Sequence, residues 1–162
     1  MNGYVREVSR ALDQEHRATL DLLDRVERAF RHSGQARDAE LEKLVGGFCR
    51  HVEMELERHF AFEENELFPR MKDAGDGDMA QLLLEEHEAI HAVAHELLPL
   101  GHGAAAGALD DHGWDALKRA VLEMSERLRA HIDKETMGLL PLVDDLIDED
   151  ADRELAFAYA AG

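Results

Sequence analysis

Two stretches of this chain carry the same pattern of potential metal ligands. Residues 59–69, HFAFEENELFP, and 131–141, HIDKETMGLLP, both read H-x-x-x-E-x-x-x-L-[F/L]-P, and they lie 72 residues apart. The residues upstream match as well: Glu15 and His16 precede the first stretch, Glu86 and His87 the second, with His16 standing 43 residues before His59 and His87 standing 44 before His131. The chain therefore reads as two copies of a helix pair, matching His16 with His87, His59 with His131, Glu63 with Glu135 and Pro69 with Pro141. Ten histidines in an acidic chain will produce some i,i+4 pairs by chance. Four matched positions at a nearly constant offset are a poor fit to chance.

Residues four apart on a helix are neighbours on one face, so His59 with Glu63 can grip one site, as can His131 with Glu135. His87 and His91 form a third such pair. Adding His16 gives seven candidate ligands: His16, His59, Glu63, His87, His91, His131 and Glu135. That is too many for one tetrahedral zinc and suits two ions sharing bridging carboxylates. Imidazole and carboxylate without thiolate favour iron, with manganese or zinc as lesser options. Unpaired charges of this kind are costly inside a protein, and metal ligation offsets that cost.

Positioning such a set requires several helices. Breaks are expected at Ser33-Gly34, at 74–77, and across a Gly- and Ala-rich link from Leu98 to Gly113. Four segments remain: Val5 to His32, a second carrying Leu41, Leu44, Val45, Phe48, Val52, Leu56 and Phe62, a third from Leu82 to Leu98, and a fourth from Trp114 to about Met137. Their apolar residues recur every three to four positions, the mark of a helix buried on one face. No alternating run bounded by hairpin turns suggests a strand. The expected fold is all-α, an up-and-down antiparallel four-helix bundle. One domain spans 1–162, with the bundle over about 4–138 and a C-terminal extension over 139–162 of one or two short helices.

With 18 Lys+Arg against 36 Asp+Glu, the net charge of −18 would repel a phosphate backbone, so nucleic acid is not an expected partner. Cys49 is the one cysteine, which excludes an internal disulfide framework. The first residues show neither an apolar signal core nor a spanning segment, and a cytoplasmic protein without a membrane partner is expected. Nothing in the sequence indicates a protein partner.

Two helical families could account for the ligands. Ferritin-like proteins place Glu-x-x-His on each of two helices; Glu88 with His91 fits once, but Leu128 stands three before His131, so the second copy fails. The order H, H-x-x-x-E, H-x-x-x-H, H-x-x-x-E instead resembles the hemerythrin family, including its cation-binding HHE members, from about Glu15 to Pro141. That resemblance implies two iron ions with a bridging oxo or hydroxo group. His87, His91 and His131 would hold one iron, His16 and His59 the other, with Glu63 and Glu135 bridging. Respiratory members carry an Asp five residues after the last His, where this chain has Thr136; Glu135, at four residues, is the more natural bridge here. Where the second repeat has His91 the first has Leu20, so the iron on His16 and His59 would lack one ligand and present an open position. The function implied is binding or sensing of O2 or a related small oxidant there. The alternatives are a di-iron oxidoreductase acting on peroxide or nitric oxide, and an iron-responsive regulatory module. Glu55 and His95, each one turn from a candidate ligand, could orient an imidazole. Phe62 could line the pocket, and Pro69 and Pro141 read as helix terminators or kinks.

Overall fold

The computed structural model describes residues 3–31 and 37–162, and contains five helical rods and no strands among them. The break expected at Ser33-Gly34, and His32, lie outside the described residues. Helix α1 is Glu7–Arg31, α2 runs over 39–73, α3 is Gly77–Ala105, α4 runs over 111–146 and α5 is Glu149–Ala161. The first four pack as the expected bundle, and α5 lies against α1. None of these helices is long and apolar enough to cross a membrane.

Local chemistry accounts for the boundaries. Asp38, Asp110 and Asp148 cap α2, α4 and α5, their carboxylates accepting from the amides of Leu41, Gly113 and Ala151. Such caps satisfy donors that a helix start leaves orphaned. The start of α1 is capped from a distance. Asp144 accepts from the amides of Val5 and Arg6, and Asp152 of α5 from those of Glu7 and Val8. Asp144 of α4 thus holds the two residues before α1, and Asp152 fastens the C-terminal helix to its first turn, in the sense the helix dipole favours.

The long link expected between the third and fourth segments is much shorter. Helix α3 continues to Ala105, and only 106–110 separate it from α4, with Gly107 making the turn at φ +66. Gly101 is buried in α3, where an added Cβ would lie 2.3 Å from the Cys49 sulfur. Glycine at 101 therefore serves close helix packing, and the alanines around it are good helix formers. The fourth rod likewise runs past Met137 to 146, which leaves α5 as the separate extension.

Pro69 and Pro141 end neither rod. Each follows a wide π turn, Glu63–Leu67 before one and Glu135–Leu139 before the other, and α-helix resumes at Phe68 and Leu140. Proline has no amide to donate and its ring crowds the carbonyl four residues back. A widened turn lets the helix go on, and such π-bulges are frequent at functional sites. The repeat seen in the sequence is thus a repeat of backbone distortion, and each π turn begins on a candidate ligand.

The core is divided in two. One apolar cluster contains Leu23, Val52, Ile90 and Leu128, and the other Leu12, Leu67, Leu83 and Leu139. On every rod of the bundle the candidate ligands fall between a member of one cluster and a member of the other. A polar layer is thereby sealed between two dry ones.

Candidate metal centre

Six of the seven expected ligands occupy that layer. His16, His59, Glu63, His87, His131 and Glu135 are each at most 2% exposed. They form two groups whose ligand atoms lie within 4.8 Å of one another: His16, His59 and Glu135 in one, and Glu63, His87, His131 and Glu135 in the other. Glu135 belongs to both. Glu63 also approaches both, its Oε1 lying 3.5 Å from His59 Nε2 and 3.4 Å from His87 Nε2. Glu135 Oε1 lies 3.3 Å from His16 Nε2 and 3.0 Å from His131 Nε2. The two carboxylates thus stand between two pairs of imidazoles.

His91 departs from the expectation. It is exposed and belongs to neither group. The buried face of α3 runs Leu83, His87, Ile90, Val93, Ala94 and Leu97, so after His87 the inward position falls three residues on, at Ile90. The fourth residue is turned outward. The centre therefore presents two histidines on each side, and the asymmetry read from Leu20 and His91 is absent from the arrangement. His91→Ala is accordingly expected to leave the bound metal content unchanged from wild type, checked by elemental analysis of the purified protein.

The ring nitrogens facing outward explain which atoms face in. His59 Nδ1 donates to Glu15 at 2.9 Å, His87 Nδ1 to Glu64 at 2.9 Å and His131 Nδ1 to Glu86 at 2.8 Å. An ionised carboxylate only accepts, so each Nδ1 carries a proton, and each Nε2 is the ring atom turned to the centre. Such carboxylate–histidine pairs fix tautomer and ring orientation for metal binding. The pairing was hidden in the sequence, because the glutamate beside one histidine serves another: Glu15 precedes His16 but supports His59, and Glu86 precedes His87 but supports His131. Glu55 also approaches His59 Nδ1, at 3.5 Å, while His95 is exposed.

Inside the layer the polar atoms are left unpaired. Both ring nitrogens of His16, Nε2 of His59 and all four carboxylate oxygens of Glu63 and Glu135 are buried with no hydrogen-bond partner. His87 Nε2 and His131 Nε2 are 3.1 Å apart, close to the spacing of about 3 Å that two nitrogens adopt side by side on one ion at about 2.1 Å. Buried polar groups are almost always satisfied, so this concentration of orphans in one layer fits a pair of cations.

Electrostatics agree. Burial and the charge on Glu135 push the Glu63 carboxyl up from its ordinary value. Burial opposes ionisation of Glu135 too, but the charge of His131 beside it outweighs that and holds Glu135 well below the usual range. His131 is pushed up to about 10: burial acts against its charge, and Glu135 with Glu86 overcomes it. His59 is likewise raised, against burial, by Glu55 and Glu63. Without metal, raised imidazoles offset the charge of these acids, and metal binding must displace the protons those imidazoles carry.

Aromatic rings close the layer. Phe60 stacks on His87 with ring centroids 3.7 Å apart and planes 1° from parallel. Phe62 faces the Tyr159 ring at 4.6 Å and sits in the second apolar cluster. A family model described as Hemerythrin HHE cation binding domain matches residues 7–143. No curated protein matches the chain.

Proposed function

Because the chain belongs to the hemerythrin HHE cation-binding domain family, we propose that it is a non-haem di-iron protein that binds or senses O2 or a related small oxidant. The observation that carries this reading is the composition of the two groups. Each offers two imidazoles with carboxylate, and Glu135 is common to both. Two histidines and a carboxylate with positions left open is the ligand set typical of iron(II) sites that react with oxygen. His16 and His59 would hold one ion, His87 and His131 the other, with Glu63 and Glu135 shared. Iron is preferred to manganese or zinc because half or more of each set is imidazole and no thiolate is present.

When bound, a ferrous pair supplies two electrons to a small oxidant. The chain's own contribution is to bind, orient and exclude. Glu15, Glu64 and Glu86 hold three imidazoles in register, and the π turns bring Glu63 and Glu135 to the same level. The two apolar clusters keep bulk water from the layer, which strengthens every electrostatic contact within it. Six protein donors for two ions leave coordination positions that a diatomic or an anion can enter.

Anaerobic loading with Fe2+, followed by O2 and then azide under visible absorption, tests the reading. Two retained ions with bands that respond to both additions are expected, and a long-lived response to O2 marks a carrier or sensor. Rapid consumption of peroxide or nitric oxide with turnover would replace it with an oxidoreductase. Retained iron indifferent to all of these would leave a metal-responsive module. A chain that retains no iron would end the proposal.

A further inference from the structure

The C-terminal helix lies beyond the family-matched residues, yet it reaches the centre. Tyr159, 4% exposed on α5, donates its hydroxyl to Glu15, the carboxylate that orients His59, and its oxygen lies 3.2 Å from His59 Nδ1. Arg58 binds the same assembly three ways. Its guanidinium donates to Glu15 at 3.3 Å and to the Tyr159 carbonyl at 2.6 Å, and it stands over the Tyr159 ring at 4.6 Å. Phe62 also packs against that ring, with centroids 4.6 Å apart.

Among the described residues, the other half of the centre has no such visitor. Glu86, the counterpart of Glu15, is held by Lys134, three residues beyond His131 on the same rod. Support for His131 is therefore contained within the four-helix bundle, whereas support for His59 depends on α5 being in place.

We infer that Tyr159 is a positioning residue through which docking of the C-terminal helix sets the affinity of the His16–His59 metal position and not that of the His87–His131 position. This rests on the reading that both positions bind metal. Coupling of this kind is reciprocal: an ion on His16 and His59 holds α5 down, and release of α5 loosens that ion. Asp152, capping α1 from the same helix, is the second anchor, and with Tyr159 it makes α5 a strap across one half of the centre.

Oxygen-free calorimetric titration of the whole chain with Co2+, together with deuterium exchange over 149–161, tests the inference. Wild type should take two ions, and loading should slow exchange across α5. Tyr159→Phe keeps the ring that Phe62 and Arg58 contact and deletes the hydroxyl alone. It should weaken one binding step by roughly 10- to 100-fold, as loss of an orienting partner does, spare the other step, and reduce the metal-dependent protection of α5. Glu15→Gln should weaken the same step and Glu86→Gln the other one. Unchanged steps in Tyr159→Phe overturn the inference, as does equal loss at both. So does Glu86→Gln acting on the step that Tyr159→Phe affects. A wild-type chain that takes no Co2+ overturns the metal-centre reading itself, and is told apart by the absence of any step to perturb.

Discussion

Loading the metal-free chain with two divalent transition ions is expected to raise its melting temperature by roughly 15–30 °C. A ligand present at about a thousand times its Kd stabilises the folded state by about 4 kcal/mol per site, and two sites give about 8. For a chain of this size each kcal/mol moves the midpoint by roughly 2–4 °C. The physical source is visible in the layer itself. Seven buried polar atoms on His16, His59, Glu63 and Glu135 have no hydrogen-bond partner, and each buried orphan costs on the order of 1–3 kcal/mol. Ions supply partners to all of these groups at once. Calorimetric melts of chelator-treated protein, with and without added Fe2+ under nitrogen, measure the effect, and renewed chelation should reverse it. A shift below about 3 °C at such an excess would mean that the layer is satisfied some other way.

How much of this was legible in the sequence differs between bundle and site. The apolar period placed all four rods, because a helix that buries one face must repeat every three to four residues. Their ends were harder to place. Gly101 and its alanines read as a link because glycine ordinarily breaks helices; packing against Cys49 overrides that propensity, and nothing local to 98–105 announces it. The prolines had the same ambiguity: a π turn and a helix stop look alike until the backbone is seen.

At the site, the repeat located the layer, since the i,i+4 spacing of His59 with Glu63 and of His131 with Glu135 fixes their common face. The same rule placed His91 beside His87, and there the rods decide otherwise. A step of four residues overshoots a full turn by about 40°, and on α3 the core takes Ile90 instead. The orienting acids were out of reach for a different reason. Glu15 supports a histidine on another rod, and Tyr159 arrives from a helix that the repeat does not include. Contacts between rods are set by packing, and spacing along one rod carries no record of them.

Glu63→Gln is expected to be nearly silent in the metal-free protein and severe in the loaded one. Burial and the charge on neighbouring Glu135 push the Glu63 carboxyl up when no ion is present, so of the two carboxylates Glu63 is the one disposed to the neutral form. Glutamine offers an amide donor and a carbonyl in nearly the same shape. The metal-free midpoint should therefore move by less than about 4 °C, the equivalent of roughly 1 kcal/mol. With ions, the requirement reverses, because Glu63 must then present charge to both positions. The substituted side chain cannot, and affinity should fall by more than about 100-fold, beyond the 10–100-fold that losing a mere orienting partner costs. Glu135→Gln provides the contrast. Glu135 is ionised without metal, paired with His131, so its loss takes one of two carboxylate partners from a buried imidazolium and leaves only Glu86, a change of the kind that costs up to about 3–5 kcal/mol. Paired melts and metal titrations of both variants separate the two carboxylates: one whose charge burial and its neighbour oppose, the other an anion in both states. Equal destabilisation of the metal-free protein by the two substitutions would refute that division, and a Glu63→Gln protein that still binds two ions tightly would remove Glu63 from the bridge.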